Sequence, residues 1–285
     1  MRAADAALLI KVPRNKTVLM QHLQLLVFRH HNWWCGGTID VSKLRGLVAK
    51  MAGRYPLTRT ARGRTYDRTK GLAAVHFIAY PLQNGLVAWW LLSDGGKGGL
   101  NDPATPDAHV AKNAMAADGH IAFTDYVLHY AHKKSLRSLP DKKTGKNKIV
   151  LKDVSTWTWK LSDAALNETK ASIEQAAANF EYGAEGALGG RPKGILGILA
   201  CQRSRPLFSG VRNQVIDLHR HADSHWGRVK KKWQGQHTAL CLVDGNRAGE
   251  LRPLREVMGR HLPKMVRIAV YGDDPKNIGD LVQKA

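Results

Sequence analysis

The chain has 285 residues, 44% of them apolar and 24% charged, which suffices for one large or two ordinary packed units and excludes a disordered or fibrous polypeptide. Its 44 Lys and Arg outnumber its 23 Asp and Glu for a formal net charge of +21, far beyond what solubility needs, so an anionic partner is expected. No apolar run approaches the roughly 18 residues of a spanning helix, and the opening MRAADAALLIKVPRNK is too weakly apolar for a secretory signal, so a membrane partner is not expected.

The excess is uneven: residues 1–100 carry a net +11, residues 101–200 a net +2 and residues 201–285 a net +8. Phosphate backbones reward such charge by releasing counterions, so nucleic acid is the favoured partner. Three distant cysteines, Cys35, Cys201 and Cys241, argue against a disulfide framework and a paired-cysteine zinc module, and for a reducing, cytoplasmic setting.

In chain order, Ala7–Val12 reads as a strand ended by Pro13. Asn15 or Thr17 caps a helix running to about His31, before Gly36–Gly37. Asp40 or Ser42 opens a second helix with Val41, Leu44, Val48 and Met51 at helical spacing. Residues 57–71, LTRTARGRTYDRTKG, show neither helical nor strand periodicity and read as an exposed loop or a ligand-ordered segment; from Lys43 to Lys70 nine Lys and Arg face one acid, Asp67.

Ala73–Tyr80 and Leu86–Leu92 form a hairpin, with Asn84–Gly85 supplying the positive φ angles of its turn, and Ser93–Gly99 (SDGGKGG) follows as a flexible glycine loop. A loop with a short helix over 107–117 precedes a second hairpin. Its arms are Tyr126–His132 and Val154–Leu161, joined by a lysine-rich connector, with Trp157, Trp159 and Leu161 on one face. Ser162 or Asp163 caps a helix with Leu166, Thr169, Ile173, Ala176 and Phe180 along one stripe. A short helix over 195–202, a strong one over Phe208–Trp226 with Val211, Val215, Leu218 and Ala222 inward, a helix at Leu254–His261 and a strand at Met265–Tyr271 complete the reading.

Strands and helices without regular alternation predict an α+β fold: a mixed or antiparallel sheet with two hairpins, ferredoxin-like in part, packed by helices, with a helical C-terminal portion. The expected organisation is an α+β domain over 1–182, a glycine-rich linker over 183–197 and a mainly helical basic region over 198–285, which is compatible with one packed domain.

Three basic clusters are candidate phosphate contacts. The first is Arg54, Arg59, Arg62, Arg64 and Arg68 with Tyr66 among them; arginine forks grip phosphate and stack on bases. The second is Lys133, Lys134, Lys142 and Lys143 of the hairpin connector. The third is Arg203, Arg205, Arg212, Arg220, Arg228, Lys230, Lys231 and Lys232, along a helix that can track a backbone. Of the eight tryptophans, Trp33, Trp34 and Trp226 are the candidates for base stacking.

His221 and His225 stand at i,i+4, yet the run HADSH lacks the glutamate of HEXXH and no third ligand is marked, so no metal is expected. SDGGKGG lacks the spacing of a phosphate-cradling loop, and no nucleophile motif appears, so no cofactor or catalytic residue is assigned. The expectation is a non-catalytic subunit of a protein–nucleic acid assembly, with other protein subunits as partners and RNA or single strands favoured. The rivals are a metal-independent RNA-processing nuclease using His with Arg or Lys, and a sequence-specific DNA-binding replication or regulatory protein.

Overall fold

A computed structural model describes residues 3–140, 147–179, 181, 194–236, 262, 265 and 275–283. The elements in order are α1 (Ala3–Ala7), α2 (Lys16–Phe28), β1 (Trp33–Asp40), α3 (Val41–Arg54), α4 (Ala61–Thr69), β2 (Val75–Pro81), β3 (Leu86–Ser93), β4 (Lys112–Asn113), β5 (Ile121–Phe123), β6 (Tyr126–Pro140), β7 (Asn147–Leu161), α5 (Asp163–Ala178), α6 (Gly194–Arg203), α7 (Ser209–Gln236) and α8 (Ile278–Gln283). The fold is α+β, with a four-stranded sheet ordered β2-β3-β1-β4 and a three-stranded sheet ordered β5-β6-β7. Contacts divide the chain into two compact units: Met1–Ile121 with Leu128–Trp157 and Arg267–Ala285, and Ala122–Val127 with Thr158–Val266.

In the first unit β3 pairs antiparallel with both β1 and β2, and α3 connects β1 to β2, so the sheet has the split β-α-β connectivity of ferredoxin-like folds. Between β3 and β4, where that arrangement would place a second helix, lie a loop and one 3-10 turn at Ala108–Val110. The core on one sheet face joins Val75, Phe77 and Ala79 of β2 and Val87 and Leu91 of β3 to Leu44, Val48 and Met51 of α3, with Ala7 and Ile278 closing its edge. Strand alternation sends His76 and Ile78 to the opposite face.

The hairpin turn is as expected. Asn84 and Gly85 have φ of 59° and 70°, and Leu82 N–H donates to Leu86 O at 2.8 Å. Asn15 caps α2 by accepting from Val18 N–H, and Asp40 caps α3 by accepting from Ser42 N–H at 2.9 Å.

Several expectations change. Ala3–Ala7 is helical, and the strand expected at Ala7–Val12 reduces to a single antiparallel bridge of Lys11 with Asn277 beside Val12 N–H donating to Lys276 O. β1 was not expected because its burial does not alternate and Gly36 and Gly37 interrupt it; a Cβ at Gly36 would stand 2.5 Å from the Trp89 carbonyl oxygen. Residues 61–69 form α4 rather than a loop. Its inner face is ionic rather than apolar, so hydrophobic periodicity could not reveal it. The glycine loop is tied down, since the buried Asp94 carboxylate accepts from Ala74 N–H and Lys97 bridges Leu72. The helix expected over 107–117 is two 3-10 turns flanking β4.

The arms of the second hairpin are 15 residues each and absorb much of the expected connector. Residues 194–197, placed in the linker, belong to α6, and α7 continues through the RVKKKW run to Gln236. α8, opened by the reciprocal hydrogen bonds of Asn277 and Asp280, has no counterpart among the sequence expectations. Leu254–His261, most of Met265–Tyr271, Phe180 and most of the 183–197 stretch lie outside the described residues.

The second unit packs α5, α6 and α7 through Ile173, Ala176, Ala177, Ile195, Ile198, Leu199, Leu218 and Ala222. Val211, Val215, Leu218 and Ala222 are fully buried, as the stripe on α7 predicts. The start of α7 is clamped to β7: Thr158 Oγ1 accepts from Gly210 N–H at 3.0 Å, and the Gln214 amide exchanges two hydrogen bonds with the Leu161 backbone at 2.7 and 3.2 Å.

Candidate nucleic-acid interface

In the first unit, a half-open cavity of about 500 Å³ lies where α3 meets β1 and the segment entering β4. Its walls include Trp34 and Trp89, and its cations are Lys50, Arg54 and Lys112, with His109 beside them. The sequence builds this locally. Leu47, Lys50, Met51 and Arg54 are spaced by three and four residues, so α3 presents them on one face. β1 pairs with β4 through Trp34 and Lys112, which sets the Lys112 ammonium 5.9 Å from the Trp34 ring centroid. Trp34 Nε1–H donates to Gly119 O at 2.7 Å and fixes the ring.

Asp107 is the one carboxylate among the lining residues, and it is already engaged. Arg54 donates to its Oδ1 at 2.6 Å and the Tyr55 hydroxyl to its Oδ2 at 3.1 Å. Burial first, then the Asp107 contact, pushes the Tyr55 hydroxyl up to about 12, so it stays a donor. Burial likewise pushes the Cys35 thiol up to about 12, which makes it an apolar wall rather than a nucleophile. Lys50, Lys112 and His109 are exposed at the rim. The Trp89 indole N–H is buried and meets no acceptor among the described residues, while its ring stacks on Phe77 at 6.1 Å.

α4 sorts the first basic cluster into two faces. Inward, Asp67 takes a bidentate pair from Arg59 at 2.7 and 2.8 Å, which holds its carboxyl below the ordinary carboxylate range. Arg68 pairs with Asp94 at 2.5 Å and with His31 Nε2 at 3.1 Å, and Arg64 donates to Leu57 O. Outward, Arg62, Tyr66 and Lys70 are exposed at i, i+4 and i+8 on one stripe; the Tyr66 ring is 57% exposed, with the Lys70 ammonium 5.6 Å from its centroid.

Beneath α4 lies a histidine cluster that the sequence did not signal. His31 and His76 meet edge to face at 4.6 Å; Arg64 acts electrostatically on both, and His22 on His76. Desolvation first, then neighbouring guanidinium groups, holds His22 and His76 down at about 4 and about 2. Desolvation also holds His31 at about 4 against the opposing pull of Asp94. His31 Nδ1 lies 3.1 Å from Leu26 O, so that nitrogen carries the proton and Nε2 accepts from Arg68.

The remaining candidates are spread out. Trp33 packs partly buried against the first unit's core. Lys134 is exposed on β6; Lys142 and Lys143 lie outside the described residues, as does the side chain of Lys133. Arg205 is bound to Asp125 at 3.0 Å and to the Tyr126 hydroxyl, and Arg220 pairs with Asp217 on the surface. Arg228 and Lys231 are exposed on α7, Arg203 and Arg212 are half-buried, and the side chains of Lys230 and Lys232 lie outside the description. Trp226 packs against the α5–α6–α7 cluster.

Lys50, Trp89, His109 and Lys112 were not singled out from the sequence. The four-residue spacing of Lys50 and Arg54 was the one available signal, because Lys112 reaches Trp34 only through strand pairing. Comparison with known proteins finds no matching family model, curated protein or solved structure.

Proposed function

We propose that this chain binds nucleic acid, RNA or single strands in preference to duplex DNA, as a non-catalytic subunit of a protein–nucleic acid assembly in the cytoplasm. The observation that carries the reading is the Trp34–Trp89 cavity, ringed by Lys50, Lys112 and His109, with its own carboxylate already neutralised. An indole in that lining accepts the face of an unpaired base, and the rim cations meet the adjoining phosphates. The α4 stripe of Arg62, Tyr66 and Lys70 repeats the same chemistry on a convex surface. The net charge of +21 supplies the long-range attraction.

Fluorescence anisotropy of a short labelled RNA tests this. The logarithm of the affinity is expected to fall linearly with the logarithm of salt concentration, by about 0.7 per phosphate neutralised on a single strand. Binding indifferent to salt defeats the proposal. Trp34→Leu is expected to weaken binding by about 1–3 kcal/mol, the worth of one stacked base, with Phe28→Leu as a surface control.

The combined change Arg62→Ala, Tyr66→Ala and Lys70→Ala is expected to weaken RNA binding roughly tenfold or more and to flatten the salt slope. All three side chains point outward, so the thermal midpoint should hardly move; an unchanged affinity removes α4 from the interface. At this cavity, His109 beside Lys50 and Lys112 is the arrangement that favours the nuclease reading. Discrete cleavage of labelled RNA in chelator, abolished by His109→Ala, would establish that reading instead.

A further inference from the structure

We propose that Glu174 of α5 with His221 and His225 of α7 forms a three-ligand site for a divalent transition-metal ion of the zinc class, independent of the nucleic-acid reading. The third ligand that sequence spacing left unmarked comes from another helix. His221 Nε2 lies 2.9 Å and His225 Nε2 3.7 Å from the same Glu174 Oε1, and the three donor atoms all lie within 4.8 Å of one another. A tetrahedral ion with nitrogen and oxygen ligands at about 2.0–2.2 Å holds its donors roughly 3.3–3.5 Å apart, so the observed set needs only small side-chain adjustments to close on one.

Hydrogen bonding alone does not account for the trio. The carboxylate oxygen holds His221, but 3.7 Å is beyond hydrogen-bond length, so His225 is brought to the same oxygen without being bound by it. The two rings stand 4.4 Å apart, as i,i+4 histidines on one helix face do when both turn to a common point.

The backbone that presents these ligands is well packed. Ile173, Ala176 and Ala177 flank Glu174 on α5, while Leu218 and Ala222 flank His221 on α7, and all five are buried in the contact between the two helices. The ligands sit at the rim of that contact, the histidines about one quarter exposed and the glutamate about half. Two imidazoles and one carboxylate suit zinc, leaving the solvent side for water. A bound ion would staple α5 to α7 and favour the folded unit.

The test uses the full chain, stripped with chelator and titrated with zinc chloride by calorimetry, with cobalt chloride as a spectroscopic probe. One equivalent of zinc is expected to bind, raising the thermal midpoint, and cobalt should give the visible absorption of a tetrahedral site. His221→Ala, His225→Gln and Glu174→Gln should each weaken zinc binding at least tenfold, whereas His109→Ala should not. His225→Gln, the mildest change, serves if His221→Ala fails to fold. Uptake equal in the native chain and in His225→Gln, or a midpoint that zinc does not move, overturns the site and leaves an ion pair between Glu174 and His221.

Discussion

Acidification from pH 7 to pH 4 is expected to remove roughly 3–6 kcal/mol of folding stability through His22, His31 and His76. The three are held neutral by burial and by Arg64 and Arg68, with folded values of about 4, about 4 and about 2 against 6.5 for a free imidazole. A folded value below the unfolded one means that the unfolded chain takes up protons first. Stability is therefore complete above pH 6.5 and is lost as pH falls towards the folded values.

A shift of 2.5 units for a single ring is worth about 3 kcal/mol, and partial exposure of His22 and His76 discounts their share. Such a loss is a large fraction of the roughly 5–15 kcal/mol that holds a domain together. Urea unfolding at pH 7, 6, 5 and 4 measures it, and the proton resonances of these three imidazoles should not titrate above pH 5. His76→Phe should flatten the pH dependence; a dependence left intact by that change would move the cause elsewhere.

Two glycines of α7 are expected to respond to the same substitution with opposite signs. Helix propensity alone makes glycine to alanine stabilising by roughly 0.5–1 kcal/mol. At Gly227 a Cβ meets nothing within 4 Å, so Gly227→Ala should gain about that amount. At Gly210 the Cβ would stand 2.4 Å from the Trp159 carbonyl oxygen, a backbone atom of a strand whose own side chain is fully buried.

Relief at Gly210 requires moving α7 away from β7, which breaks the Gly210 to Thr158 hydrogen bond and loosens the Gln214 clamp on Leu161. Gly210→Ala is therefore expected to cost about 2–3 kcal/mol despite its better propensity. Thermal and urea denaturation of the two variants side by side decide the matter. Equal effects at the two positions would show that α7 can shift freely from the strand.

Expectations succeeded where one local signal sufficed. Asn15, Asp40 and Ser162 cap helices because a short polar side chain reaches the backbone N–H groups of the next turn. Asn84–Gly85 turns its hairpin because both residues tolerate positive φ. α4 was missed because its one buried residue is Asp67, paired with Arg59, rather than Leu or Val. β1 was missed because its glycines serve the approach of β3, a requirement written in the partner strand.

The candidate site divides the same way. The sequence by itself determined the charge and its placement, the capped helices, the first hairpin and the apolar stripe of α7, since each depends on residues within one or two turns of each other. Tertiary structure alone decided which cations remain available. Arg59, Arg68 and Arg205 are spent on Asp67, Asp94 and Asp125, while Arg62 and Lys112 face outward. It also assembled Trp34 with Lys112 and Glu174 with His221. Those pairs are distant along the chain, and their contact follows from strand pairing and helix packing that no local periodicity encodes.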